Sequence, residues 1–132
     1  MAREEVLHAY RHLYRAALRA VCYSQPASSV ARDQLRRAFR DKANTFNERT
    51  IRRTVWFLNN AARERGTEHK IVKNLLFTKL WKEKDSYCTW RYLMELTQSK
   101  KKEGPVKATA YAHYEQTISM LNKTMGLCLP LR

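Results

Sequence analysis

Apolar residues recur along this chain at intervals of three and four, which is the spacing of one face of an α-helix. The pattern predicts a first helix over residues 3–22. Its inward stripe is Val6, Tyr10, Leu13, Ala17 and Val21. No stretch alternates polar and apolar residues in the way that a half-buried β-strand does. The chain is therefore expected to be all-α.

A second helix is predicted after a break in the pattern at residues 25–29. Ser29 carries a hydroxyl side chain of the kind that favours a helix N-cap, so the helix is predicted over residues 30–43. Its inward positions are apolar: Ala31, Leu35, Ala38 and Phe39. Arginines cluster on the outer side of the same helix, so both its faces have a distinct chemistry.

Two more helices follow before the pattern weakens. Asn47 is predicted to cap a third helix over residues 48–65, which Gly66 ends. Thr67 is predicted to cap a fourth helix that reaches residue 81. Apolar side chains keep the helical spacing in both: Ile51, Val55, Leu58, Ala62, Ile71, Leu75, Leu76 and Leu80.

The last third of the chain is less regular. A helical segment is predicted over residues 86–97, a solvated loop over residues 98–105, and a last helix over residues 109–125 that Gly126 ends. An apolar tail follows at residues 127–131. Because the tail has no evident core partner in its own helix, it is a candidate contact with another protein.

The composition adds a strong positive charge to this helical pattern. The 132 residues suffice for one modest core. We divide the chain into a helical domain, residues 1–84, and an extension, residues 85–132, that packs on this domain or on a client. The formal net charge of +14 favours anionic partners, but it does not choose between nucleic acid, lipid and acidic protein. Arginine dominates the N-terminal half, where bidentate contacts with carboxylate or phosphate are therefore expected.

Nothing in the sequence indicates catalysis or a metal site. His8 and His12 stand four residues apart, but the glutamate of a zinc-protease helix is missing between them. Cys22, Cys88 and Cys128 lack the spacing of zinc or redox sites, so they are expected to be reduced thiols, mostly in the core. The chain also lacks an apolar run of about 20 residues, the length that spans a membrane. We therefore expect a protein that is not an enzyme and binds no metal.

Two motifs in the N-terminal half carry a family resemblance. Leu13-Tyr14-Arg15 on the first helix and the run Arg36-Arg37-Ala38-Phe39-Arg40 on the second, at three-helix spacing, resemble the LYR-motif (Complex1_LYR-like) family of mitochondrial proteins. The likeness is greatest to the branch that serves assembly of the mitoribosomal large subunit, and residues 85–132 match no LYR pattern. The resemblance implies an antiparallel three-helix bundle with additional C-terminal helices, located in the mitochondrial matrix.

The resemblance also implies a partner, the acidic mitochondrial acyl carrier protein. The chain would then have no cofactor of its own, and the carrier would present acyl-4'-phosphopantetheine to the bundle. The implied carrier contacts are Tyr14, Arg15, Arg19, Arg36, Arg37, Arg40 and Lys42. The implied slot for the acyl chain is formed by Leu13, Ala17, Leu35, Ala38, Phe39, Val55 and Leu58.

Three hypotheses about the client stay open at this point. The likeness and the charge favour an adaptor of the mitoribosome, with candidate RNA contacts at Lys100, Lys101, Lys102 and Lys107. The same adaptor interface would also suit an assembly factor or accessory subunit for a respiratory complex or for iron–sulfur delivery. The third hypothesis is a basic helical RNA-binding protein without a carrier, in which the Leu-Tyr-Arg triplet is a coincidence.

Overall fold

A computed structural model describes residues 3–86, 94 and 105–130 of the chain. The helices in this part are α1 (Arg3–Ala20), α2 (Ala27–Arg40), α3 (Glu48–Arg63), α4 (Thr67–Ser86) and α5 (Pro105–Met125). No β-strand occurs in the described part of the chain, so the all-α prediction is confirmed. The predicted helix over residues 86–97 and the loop with Lys100, Lys101 and Lys102 lie largely outside the described residues.

The first three helices form the antiparallel bundle that was expected. Phe39, near the C-terminal end of α2, contacts Tyr10 in the first half of α1, with 5.2 Å between ring centroids. The direction of α2 is therefore antiparallel to that of α1. Arg19 and Arg63 line one cleft, so the C-terminal ends of α1 and α3 lie together. α4 returns along α3 and also packs on α2, which closes the bundle on a further side.

The core lies where α1 packs against α3. Ala16, Ala20 and Ala61 are almost completely buried there, and their small side chains let the two helices approach closely. Phe57 is the largest fully buried side chain, with 1% of its surface exposed. Burying a side chain of this size contributes about 1.5–3 kcal/mol, so Phe57 is a main anchor of the bundle.

The start of α2 differs from the prediction. The helix begins at Ala27 rather than residue 30, and Pro26 occupies the N-cap position without a side-chain cap bond. The Ser29 hydroxyl donates a hydrogen bond to Gln25 Oε1 at 2.9 Å, so Ser29 does not cap the helix. A proline suits this position, because the first turn of a helix leaves backbone N–H groups without intrahelical acceptors.

The two ends of α3 gave one correct prediction and one wrong one. Asn47 caps the helix as predicted, since its side-chain oxygen accepts hydrogen bonds from the backbone N–H groups of Arg49 and Thr50. Gly66 does not end it, because the chain turns to an extended conformation already at Glu64. Instead, the Gly66 carbonyl accepts a hydrogen bond from the Lys70 N–H in the first turn of α4.

The other helix boundaries also move by a few residues. α1 ends at Ala20 because Cys22 and Tyr23 take left-handed φ angles of 52° and 54°. α4 runs past residue 81 to Ser86, and α5 begins four residues before the predicted start, at Pro105. The prediction of mostly buried thiols is wrong for Cys22 and Cys128, which are both exposed and free, while Cys88 lies outside the described residues.

α5 ends at Gly126, as predicted, with a φ of +65°. A β-carbon at this glycine would lie 2.7 Å from Nη1 of Arg53, so there is no room for a larger residue in this arrangement. The same Nη1 atom donates a hydrogen bond of 3.3 Å to the Met125 carbonyl and thereby fixes the end of α5 against α3. None of the described helices combines the length and the apolar character that crossing a membrane requires.

The C-terminal tail, residues 127–130, folds back into the core. Leu127 and Leu129 retain only 5% and 8% of their surface exposed. The prediction that this tail has no core partner in its own helix was therefore wrong, because Asn122 of α5 holds it and Thr54 of α3 adds a second partner, while the contact with a client stays a prediction. The division of the chain into residues 1–84 and 85–132 stays a prediction.

Candidate binding cavity and its basic rim

A cavity of about 1080 Å³ lies among α1, α2, α3, α4 and the C-terminal tail. Its walls include Val6 near the start of α1 and Val21 just after its end. The two residues lie at opposite ends of α1, so the cavity lining runs along most of the length of this helix. Ligand cavities usually measure about 300–1,000 Å³, so this one suits a long ligand.

Most of the predicted slot residues line this cavity. They are Leu13, Ala17, Leu35, Ala38, Phe39 and Leu58. Val55 does not line it, although it is half-buried. On α3 the residues that face the cavity are Thr50, Ile51, Thr54 and Leu58, and Val55 lies one position around the helix from this stripe.

The Leu-Tyr-Arg triplet points in three directions, because successive helical residues are turned by about 100°. Leu13 is buried in the cavity wall. Tyr14 is half-buried, with its ring centroid 5.9 Å from that of Tyr10, and Arg15 is exposed. Phe39 meets the edge of the same Tyr10 ring and also lines the cavity. The motif helices are thus joined through Tyr10.

The cavity opens at the turn between α2 and α3, where exposed residues form part of its lining. Asp41 shapes this turn by accepting a hydrogen bond from the Ala43 N–H at 3.0 Å. The Asn44 side chain donates to the Ala38 carbonyl at 2.9 Å, which satisfies an acceptor left free at the end of α2. Asn47 then starts α3, as described above. This polar turn forms the mouth of the cavity.

Basic side chains surround the mouth. Arg37 lines the cavity and forms an ion pair of 2.9 Å with Glu83 of α4, and Arg36 lies 3.6 Å from Asp33. All four side chains retain between about a third and two thirds of their exposure, so these pairs are weak. Arg40 and Lys42 are exposed, and no carboxylate in the described part of the chain lies within ion-pair distance of either.

Comparison with known proteins identifies a relative that matches nearly the whole chain. Over 130 residues the chain is 30% identical to a protein of Schizosaccharomyces pombe named UPF0593 mitochondrial protein, and the alignment covers 96% of this chain and 99% of the relative. The chain belongs to the UPF0593 family. No model of a known protein family matches it, and no solved structure does. The resemblance to LYR-motif proteins stays a prediction.

The predicted carrier contacts of this UPF0593 protein do not form one continuous patch. Arg37 lines the cavity, and Arg40 and Lys42 lie at the turn that forms its mouth, whereas Arg36 is exposed beside Asp33 on α2 and Arg15 is exposed on α1. Arg19 lies in a separate cleft of about 380 Å³, which it shares with Tyr23, Asn59, Ala62 and Arg63. The structure thus places three of the seven predicted contacts, Arg37, Arg40 and Lys42, at or beside the mouth, and their role stays a prediction. The side chain of Lys107 and the three lysines before it lie outside the described part.

Sequence reasoning missed several residues of the cavity. Gln34 and Thr54 are buried polar residues in its wall, and each continues an apolar helical stripe that was already recognised. Cys128, Leu129 and Pro130 add a further wall from the tail. The stripe positions were available from the helical spacing, but the tail gave no periodic signal.

Lys79 is a buried cation close to this site. It follows the cavity-lining Leu75 and Leu76 by one helical turn, is only 3% exposed, and its amine has no hydrogen-bond partner among the described residues. Burial, with the nearby Lys82, lowers the pKa of Lys79 from 10.5 to about 8, although Glu115 and Glu83 partly oppose this shift. Lys82 forms a 2.9 Å ion pair with Glu115 of α5, and Glu83 pairs with Arg37. The charge of Lys79 is therefore in excess among these neighbouring side chains.

Proposed function

We propose that this UPF0593 protein is a non-catalytic mitochondrial adaptor of the LYR type. It binds acylated acyl carrier protein and docks the carrier to a client in the matrix, with the mitoribosome as the first candidate. The observation that carries the proposal is the long apolar cavity with a basic mouth. Six of the seven slot residues that the LYR resemblance implied line its walls.

The cavity accounts for the acyl chain in energetic terms. Transfer of a CH₂ group from water to an apolar site contributes about 0.8 kcal/mol, so ten such groups contribute roughly 8 kcal/mol before the cost of ordering the complex. Ala17 and Ala38 leave room in the walls, because they are alanines at positions where a larger side chain would extend into the cavity. An apolar chain that enters between them is buried against the core side chains that line the cavity.

The mouth accounts for the carrier itself. A carrier that inserts its acyl chain brings an acidic surface and the phosphate of its prosthetic arm to the turn between α2 and α3. Arg40 and Lys42 are exposed there, and Arg37 lies at the cavity edge. Hydrogen bonds from these cations to carboxylate or phosphate are charge-assisted and therefore stronger than neutral ones. Arg15 is exposed on α1 away from this mouth, so in this proposal it is a second, separate contact with the carrier.

Location and client rest on separate arguments. The relative from Schizosaccharomyces pombe is named a mitochondrial protein, which supports the same organelle for this chain. The matrix follows from the LYR resemblance. The net charge of +14 and the likeness to the mitoribosomal branch favour a ribosomal client over a respiratory or iron–sulfur assembly.

The direct test is gentle purification of the tagged full-length protein from mitochondria of its source, followed by intact-mass spectrometry. The expected result is an acidic protein whose mass includes an acylated phosphopantetheine arm, together with large-subunit ribosomal proteins. Recovery of RNA without a carrier would contradict the proposal and would favour the third hypothesis. A carrier that arrives with respiratory or iron–sulfur assembly proteins would keep the adaptor role and replace the client.

A matched pair of double variants tests the site. Arg15→Glu with Phe39→Ala reverses one charge and removes one aromatic side chain at the proposed interface. Arg65→Glu with Phe77→Ala makes the same changes at exposed positions that do not line the cavity. The first pair is expected to lose the carrier and the second to retain it in a pull-down with purified acyl carrier protein. Equal retention by both pairs would place the carrier elsewhere on the molecule.

A further inference from the structure

We propose that the C-terminal tail is part of the ligand site, and that the size of the Leu129 side chain determines which acyl chains the cavity accepts. This inference rests on the proposed function, because it takes an acyl chain as the ligand. It assigns a specificity-determining role to a segment that lies outside the first three helices and outside the region of the LYR resemblance.

The tail is held in place at two points. The Cys128 N–H donates a 3.0 Å hydrogen bond to the Thr54 hydroxyl, which in turn donates to the Thr50 carbonyl at 2.8 Å. One residue later, the Leu129 N–H donates to Asn122 Oδ1 and the Leu129 carbonyl accepts from Asn122 Nδ2, both at 3.0 Å. Both backbone polar groups of Leu129 are thus bonded to one side chain, which fixes the position of the leucine.

The anchor at Thr54 places this wall partway along the cavity. Thr54 itself lines the cavity on α3, between Thr50 near the mouth and Leu58 farther along the helix. A chain that enters at the mouth therefore reaches the tail after the first part of its path. A short chain ends before this point, whereas a long chain has to pass beside Leu129.

Two leucines in the same tail separate the binding role from a purely structural one. Leu127 and Leu129 are both buried, but only Leu129 is part of the cavity lining. A larger side chain at position 129 extends into the space that the ligand uses. The same change at position 127 affects the packed core, and it leaves the cavity wall intact.

The experiment compares Leu129→Phe with Leu127→Phe in the full-length protein. Acyl carrier protein charged with an octanoyl or a hexadecanoyl chain is titrated onto each variant by isothermal calorimetry. Leu129→Phe is expected to weaken hexadecanoyl binding about tenfold or more, while octanoyl binding changes less than about threefold. Leu127→Phe is expected to leave the ratio of the two affinities unchanged. Retained octanoyl binding also shows that the variant is folded.

Alanine variants at the same two positions keep the test informative if a phenylalanine variant does not fold. Leu129→Ala widens the wall, so it should raise the relative affinity for a kinked cis-octadecenoyl chain, by about threefold or more. Leu127→Ala removes the same atoms from the core and should not change chain preference. If the 129 and 127 variants shift chain preference equally or not at all, the inference is wrong while the adaptor proposal stands.

Free hexadecanoate, titrated without a carrier, distinguishes this inference from the proposed function. If the free chain binds with the Leu129 dependence described above but the carrier does not bind, the tail remains part of an apolar ligand site and the adaptor proposal fails. If neither the free nor the carried chain binds, both are overturned.

Discussion

The first four helices and the C-terminal tail line the same cavity and share one apolar core, but their backbones are held by different hydrogen bonds. The helices present apolar stripes to a shared core, and their backbone hydrogen bonds are internal to each helix. The tail has no such internal bonding among its described residues. Its position depends on Thr54, which precedes Cys128 by 74 residues, and on Asn122 in α5.

Because of this difference, the helices are expected to determine the stability of the bundle, and the tail is expected to determine which acyl chains the cavity accepts. A substitution in the helical walls acts on the core that holds the bundle together. It is therefore expected to lower the stability of the fold more than it changes which ligand binds. The tail adds one wall to the cavity, and the side chains of Thr54 and Asn122 hold its backbone in place. A substitution in the tail is therefore expected to change the shape of the cavity while the helical bundle stays folded. Substitutions in the two regions should therefore differ in what they change.

Phe57→Ala is expected to have the largest effect, a loss of about 3–5 kcal/mol in the free energy of unfolding, because it leaves a cavity at the α1–α3 contact. Urea denaturation followed by circular dichroism measures it. Trp56→Ala is the matched control, since that neighbouring ring is 57% exposed and should change stability by less than about 1 kcal/mol. Similar losses for both variants would mean that α3 is not buried on the predicted side.

The helical walls were predictable because their contacts follow local spacing. Leu13, Ala17 and Leu58 fall on stripes that the sequence displays directly, and six of seven slot residues indeed line the cavity. Val55 was assigned to the slot because a helical stripe is wider than a single row of side chains. Which half-buried neighbour faces a cavity depends on the angle at which the helices pack.

The tail and some helix ends were not predictable in this way. Leu127 and Leu129 were recognised as apolar, but their partners lie in helices that the local pattern does not connect to them. Ser29 was taken as a cap because its hydroxyl suits that role, whereas Pro26 starts the helix three residues earlier. Nothing in the helical pattern indicates that Lys79 is buried, because only the packing of α4 against its neighbours buries it.

Lys79→Met tests the buried cation, and it is expected to raise the free energy of unfolding by about 1–3 kcal/mol at pH 7. The pKa of Lys79 is about 8 in the folded chain and 10.5 when unperturbed, so the folded state disfavours the proton. This cost is complete below pH 8 and disappears as the pH rises through 10.5. The gain from the substitution should therefore shrink between pH 7 and pH 10.5 in urea titrations.

Lys82→Met is the control for Lys79→Met. Lys82 is paired with Glu115, and its Nζ lies 4.6 Å from the centroid of the Tyr111 ring. Its removal breaks this ion pair and the contact with the Tyr111 ring, and should lower stability by about 1 kcal/mol. A gain of stability from both variants would show that general loss of positive charge, rather than burial of one amine, is responsible.

Gly126→Ala tests the connection between α5 and the tail, with an expected loss of about 1–2 kcal/mol. Part of this loss comes from the left-handed φ of +65°, which a β-carbon disfavours. The rest comes from Arg53, which has to move away from the new methyl group. Thermal unfolding is the measurement, and Arg53→Ala in the same chain should recover the second part.

Gly66→Ala is the matched control for Gly126→Ala. A β-carbon at Gly66 would lie 3.4 Å from a carboxylate oxygen of Glu68, which is an ordinary contact, and its φ is not left-handed. Stability should therefore stay within about 0.5 kcal/mol or rise slightly. Equal losses at the two glycines would contradict the special role of the turn after α5.

Asn47→Ala is expected to have the smallest effect on stability, a loss of about 1 kcal/mol, because it removes the side-chain acceptor at the start of α3. Ser29→Ala is its control and should change stability by less than about 0.5 kcal/mol, since Ser29 bonds only to the exposed Gln25 side chain in the structure. Asn47 also lines the cavity mouth, so its loss should weaken carrier binding while leaving the preference between octanoyl and hexadecanoyl chains unchanged. If Asn47→Ala changed that preference, the mouth would take part in selecting the chain length, which contradicts the proposal that Leu129 determines it.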